Sequence, residues 1–178
     1  PAVDLVRGLA LLFILIDHIP VSPGSGYTLR NFALCDATEL FVFLAGLGSA
    51  AAFSGMAATR GVGPARRRFW GRAVRLHLVH VAVAAALTGV VLAARQAGLS
   101  AWVVGDEYVA RLAADPLGFL AAVASFGMQP NLADILPIYV LFSLASPFVV
   151  PAAAAMPVRT LAVSFAAWLA APWLAAVL

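Results

Sequence analysis

Hydrophobic positions in this chain do not alternate with polar ones but come in five blocks. They occupy about residues 3–20, about 37–56, about 73–94, 135 to about 155, and 158 to the end. Each block is close to the ~20 residues that a helix needs to cross a hydrocarbon core about 30 Å thick. Lipid offers the backbone no hydrogen-bond partner, so a spanning block of this length predicts a helix. The pattern therefore predicts an all-α fold, a polytopic transmembrane helix bundle with about five spanning helices in this chain. The interval 95–134 is the least regular. Within it DEYVARLAA has the pattern of an amphipathic helix lying on the membrane surface, and PLGFLAAVASFG is too short for a span, predicting a re-entrant or shortened helix. No repeat or low-complexity linker divides the chain, so residues 1–178 are expected to form a single domain. The chain opens at Pro1 and closes inside an apolar run, which leads us to expect part of a longer protein.

Composition strengthens the membrane reading. The sequence is 63% hydrophobic and 11% charged, with a mean hydropathy of +0.99, whereas soluble domains carry about 25% charged residues. A water-soluble fold has no way to hide that much apolar surface. The first block runs into charged and Pro-rich sequence rather than a small-residue cleavage site, so it reads as a retained span and not as a signal peptide. All eleven basic residues are Arg, a bias that points to a GC-rich bacterial genome. The basic pI of 9.8 needs no nucleic acid as partner, because retention of Arg on the cytoplasmic side of a membrane accounts for it. Cys35 is the one cysteine and makes no internal disulfide.

Arg placement sets an orientation. Arg60, Arg66, Arg67, Arg68, Arg72 and Arg75 crowd the link between the second and third blocks, and short basic links stay in the cytoplasm. The N-terminus and the 60–75 loop are therefore expected inside, with residues 21–35 and 95–134 outside. The expected location is the bacterial inner (plasma) membrane, multi-pass.

Ionisable groups inside spanning helices cost at least about 2.5–3.5 kcal/mol each, so their presence is by default a functional hypothesis. The first block has Asp4, Arg7, Asp17 and His18. Eleven residues at 100° each leave Arg7 and His18 about 20° out of line and ~16 Å apart along the axis, so both face the same way. Asp4 is one turn from Arg7 and can pair with it, while Asp17 points about 80° aside. Against this stands a plainer interpretation, in which Asp4 and Arg7 are snorkelling anchors and Asp17 and His18 are interfacial. The second block opens with Asp36 and Glu39. Glu39 is a candidate partner for the imidazole, although an acid at a helix start is favoured by the macrodipole in any case. His77 and His80 share a face of the third block. Packing or substrate contact suits them better than a metal, since further ligands are lacking nearby, and no metal and no bound cofactor is expected.

The residues also carry a resemblance. DLVRGLALLFILIDHIP, with Arg7 followed after ten residues by His18, resembles the first-helix signature of the acyltransferase-3 superfamily of membrane acyltransferases. ATELFVFLAGLGSA resembles its second helix and RRFWGRAVRLH the paired Arg that opens its third. DATELFVFLAGL together with QPNLADILPIYVLFSLASP is similar to the OpgC type, named after the osmoregulated periplasmic glucan succinyltransferase. Related sequences often read Ser-Gly after the aromatic run, where this chain has Ala45 and Gly46. Family members have about twice as many spans, so the resemblance implies the N-terminal half of a larger acyltransferase-3-like bundle.

What the resemblance implies is an O-acyltransferase moving a succinyl or acetyl group from a cytoplasmic acyl-CoA, the donor substrate, to a hydroxyl of a periplasmic or extracytoplasmic glycan. On that basis the catalytic candidates are His18, Arg7, Glu39 and Asp17. His18 would accept the hydroxyl proton or be acylated for a moment, and Asp17, Glu39 or Asp36 would orient its ring. Arg72 and Arg75, with Asp36, are candidates for substrate binding. Arg7, Arg72 and Arg75 are expected at a cytoplasmic entrance, holding anionic groups by charge-assisted hydrogen bonds. Two other readings stay open. A secondary transporter would also place Arg, His and Asp inside helices, and a non-catalytic membrane scaffold would keep polar residues at helix ends.

Overall fold

The computed structural model describes residues 2–19, 22–98, 106–129 and 135–175. Within them lie seven α-helices and no strand: α1 Ala2–His18, α2 Ala37–Arg60, α3 Val62–Gln96, α4 Asp106–Ala114, α5 Pro116–Ala124, α6 Ile135–Ala155 and α7 Pro157–Ala175. Two single 3₁₀ turns, Ser25–Tyr27 and Leu29–Asn31, fill the connection after α1. The expected all-α class holds. Residue 20, residues 130–134 of the QPNLAD segment and residues 176–178 lie outside the described residues.

Among the described residues α2, α3 and α6 are long and apolar enough to cross a membrane, against about five expected. The other two blocks are helical but fall at the margin. α1 has 17 residues and carries Asp4, Arg7 and Asp17, and the last residues of α7 border the part of the chain outside the described residues. Only 22–28% of the residues in the apolar stretches of α2, α3 and α6 are buried, so most of their apolar surface faces outward. Phe43, Leu78, Val90 and Phe148 are each at least 60% exposed. That surface suits lipid and no aqueous phase, which makes this a membrane protein.

The basic segment 60–75 is not the loop that its charge suggested. α2 runs to Arg60, Gly61 alone turns the chain at φ +84°, and α3 begins at Val62. Gly63 and Pro64 read as loop in sequence. Yet the first turn of a helix has no use for its N–H groups, and proline is tolerated there. Arg is also a good helix former, so the cluster forms the first turns of a 35-residue helix.

α6 packs most extensively on α3, and α2 lies against α1, α3 and α6. The contact positions are small: Ala10, Ala37, Ala45, Ser49, Ala65, Ala73 and Ala84 are all buried, letting backbones approach where lipid gives helices no hydrophobic reason to associate. Near the α2–α3 turn, Phe53 and Phe69 meet edge to face at 5.3 Å. At the opposite end of α2, Ala10, Ile14, Ala37 and Phe41 form a second cluster with Phe13, Leu29, Ile135 and Tyr139 beside it. α4, expected on the membrane surface, buries Tyr108 and Val109 against α3 and α5. α5 has nine residues and is the shortened helix expected.

Candidate functional site

α1 buries the stripe Ala10 and Ile14, which lies between Arg7 and His18 on the helical repeat, so the face predicted from spacing is the face packed on α2. His18 closes the last turn of α1. Its Nδ1 lies 2.7 Å from the Ile14 carbonyl oxygen. A carbonyl only accepts, so Nδ1 carries the hydrogen, and in the neutral ring Nε2 keeps the lone pair. The imidazole is thus oriented by its own helix. This corrects the expectation that Asp17, Glu39 or Asp36 would do so.

Those three carboxylates have other partners. Asp17 accepts a 2.7 Å hydrogen bond from the hydroxyl of Thr28, a fully buried residue whose hydroxyl also reaches the Ser25 carbonyl at 2.9 Å. Asp36 caps α2 by accepting from the Glu39 N–H at 2.9 Å, and the Glu39 carboxylate returns to the Asp36 N–H at 3.1 Å. That reciprocal capping box satisfies backbone donors that the helix start leaves open. Glu39 therefore serves the helix start and does not touch the ring, contrary to its expected place beside His18.

Around His18 opens a cleft of about 480 Å³ lined by Ile14, Asp17, His18, Arg30, Asp36 and Thr38. Two carboxylates, a guanidinium, a hydroxyl and an imidazole around one space form a set of donors and acceptors suited to a polyhydroxylated ligand. Arg30 and Thr38 were not among the residues singled out from sequence. Arg30 sits in the connection after α1, and only the folding back of that connection brings it to the cleft.

Arg7 lies below. Its Nη2 donates to the Tyr139 hydroxyl at 2.8 Å, its guanidinium carbon sits 5.9 Å from the Phe41 ring centre, and Asp4 approaches Nη1 at 3.7 Å. A methyl group placed on Gly48 would stand 3.9 Å from Nη1. Gly48 is thirteen residues from the turn at Gly61, about 20 Å along α2. The guanidinium is therefore deep in the bundle rather than at its basic end, which corrects its expected position at the entrance. Arg72 reaches the same place, 5.9 Å from the centre of the Tyr139 ring. Arg72 and Arg75 are both exposed, but of the two Arg72 alone has this contact with the Tyr139 ring, so the expected trio divides.

His77 and His80 have ring centres 6.4 Å apart, and both pack on Phe126, at 5.1 and 5.4 Å. Phe126 holds a φ of +63°, uncommon for a residue with a side chain. An apolar cleft of about 300 Å³ borders His77, Phe126 and Val140. Among the described residues no three His, Cys, Asp or Glu converge as a metal site.

A family model described as OpgC protein matches residues 1–178. No curated protein and no solved structure matches the chain.

Proposed function

The chain belongs to the OpgC family, and from that membership and the two polar sites of α1 we propose that it is a membrane-bound O-acyltransferase. It takes a succinyl or acetyl group from acyl-CoA in the cytoplasm and passes it to a hydroxyl of a glycan outside the inner membrane. The observation that carries this reading is His18, set at the edge of a polar cleft with Nδ1–H given to Ile14 and Nε2 left with its lone pair.

In the proposed reaction Nε2 takes the proton of a glycan hydroxyl as that oxygen attacks the carbonyl carbon of the thioester. The new carbon–oxygen bond forms, the carbon–sulfur bond breaks, and the proton passes from the ring to the departing coenzyme A thiolate. An imidazolium formed at the C-terminal end of α1 stands where the helix dipole favours positive charge. Asp17, Asp36, Thr38 and Arg30 hold the acceptor by hydrogen bonds to its hydroxyls. Arg7 and Arg72 hold oxygen atoms of the donor along its way through the bundle, and Arg75, one turn further along α3, adds positive charge to that path. The orientation proposed keeps the 60–75 segment in the cytoplasm and the cleft outside.

The test is His18→Gln, which keeps hydrogen bonding but removes the titratable ring. In cells carrying the full-length protein at matched membrane abundance, acyl content of the extracytoplasmic glycan should fall at least about a hundredfold, the lower range for loss of a positioned acid–base group. Near-normal acylation by this variant would remove His18 from the reaction.

A further inference from the structure

Tyr139 is the point at which three helices bring their polar chemistry together. Its hydroxyl accepts from Arg7 of α1 at 2.8 Å, its ring face receives Arg72 of α3 with the guanidinium carbon 5.9 Å from the ring centre, and its ring meets Phe41 of α2 edge to face at 5.8 Å. Two guanidinium groups repel each other, and the one on Arg7, whose Nε is buried, is costly inside a bundle. Nothing about packing requires them to be neighbours. One aromatic side chain nevertheless holds both, the first by its oxygen and the second by its π face.

The arrangement also leaves donors over. Arg7 uses Nη2 on Tyr139, and its Nε is buried without a hydrogen-bond partner among the described residues. Arg72, which is exposed, has its ring contact and no hydrogen bond or ion pair among the described residues. The Tyr139 hydroxyl accepts from Arg7 and keeps its own O–H hydrogen to give. A cluster built for stability alone would be expected to satisfy the buried Arg7 Nε, since a buried donor left open costs about 1–3 kcal/mol. A buried open donor on Arg7, with the exposed guanidinium of Arg72 held beside it on the same ring, is what a ligand rich in anionic or carbonyl oxygens requires.

We propose that Tyr139 is the positioning residue of the acyl-donor site, gathering Arg7 and Arg72 into one seat for donor oxygens. The proposal rests on the acyltransferase reading above. Its hydroxyl acts through Arg7 and its ring through Arg72, so the two functions separate on substitution. Tyr139→Phe removes the first and keeps the second, while Tyr139→Leu removes both.

The experiment measures acyl transfer by the purified full-length protein in lipid nanodiscs, with donor and glycan acceptor varied in turn. Tyr139→Phe should raise KM for the acyl-CoA roughly tenfold or more, the worth of one hydrogen bond to a charged group, with KM for the acceptor unchanged. Tyr139→Leu should raise it further. Combined with Arg7→Met, Tyr139→Phe should add nothing to the Arg7→Met defect, because the hydroxyl works only through that guanidinium. An unchanged donor KM in Tyr139→Phe, equal rises for donor and acceptor, or additive losses in the double variant would overturn the proposal while leaving the acyltransferase reading intact. Absence of any acyl transfer by the unaltered protein under conditions where it binds donor would overturn both. A general structural defect would show instead as a fall in kcat and thermal stability with both KM values unmoved, and that too counts against it.

Discussion

Arg7→Met separates a guanidinium kept for chemistry from one kept for architecture. The substitution retains an unbranched stem of similar reach and removes the charge. On the stabilising side, the variant relieves the charge of a guanidinium whose Nε is buried in the bundle, about 2.5–3.5 kcal/mol on insertion scales if it stands at membrane depth. On the other side it forfeits the 2.8 Å bond to the Tyr139 hydroxyl, worth about 1.5–3 kcal/mol as a charge-assisted contact. It also loses the approach to the Phe41 ring at 5.9 Å, worth about 0.5–2 kcal/mol. The pair with Asp4 adds little, because the Asp4 side chain is 77% exposed and such pairs contribute about 0–1 kcal/mol. The two sides overlap, and the expected net loss of stability is about 1 kcal/mol. Activity has no such compensation. Loss of a charge-assisted contact to the donor should lower kcat/KM by roughly ten- to a hundredfold. The assays are the thermal unfolding midpoint and membrane abundance of the full-length variant, set beside acyl transfer at limiting donor. A variant that disappears from the membrane would refute the cancellation and make Arg7 a structural pin. A variant that is abundant and fully active would refute the donor contact.

Two further outcomes follow from the same geometry. Glu39→Gln should leave acylation near normal, since Gln also completes a capping box, whereas Glu39→Ala should cost about 1 kcal/mol of stability; a hundredfold loss of activity in Glu39→Gln would return Glu39 to the imidazole. A single cysteine introduced at Gly63, in a variant lacking Cys35, should resist membrane-impermeant thiol reagents in intact cells while one at Ser25 reacts, and the reverse pattern would invert the proposed orientation.

The features legible in the sequence are those that one helix carries by itself. Arg7 and His18 could be placed on a common face because a regular helix turns 100° per residue whatever surrounds it, and the buried positions Ala10 and Ile14 lie on that face. Asp36 and Glu39 were legible as acids at a helix start, and the structure shows the local use of both carboxylates, as a capping box, taking precedence over the long-range one. Local bonds form within one turn and need no tertiary packing, so a carboxylate with a backbone N–H three residues away has a partner before any other helix arrives. The same logic explains the extent of α3. Pro64 reads as a breaker only where a helix already precedes it, and in a first turn it is harmless.

Depth and convergence were not legible, because both depend on which helices are neighbours. Six Arg in sixteen residues look like one cytoplasmic patch, but a helix carries successive residues 1.5 Å apart along its axis. Arg72 therefore stands about 16 Å from the turn at Gly61, where Tyr139 of α6 can reach it, while Arg60 stays at the end. Nothing in the spacing of Arg7, Arg72 and Tyr139 joins them, since 65 residues separate the first two and 67 the last two. The contact exists because α2 packs small residues against its neighbours and admits α1 on one side and α6 on another. A basic cluster in a membrane sequence thus divides by helical rise into charges that anchor and charges that are carried inward. Only the second kind pays an insertion cost, so only for the second kind does function have to supply the reason.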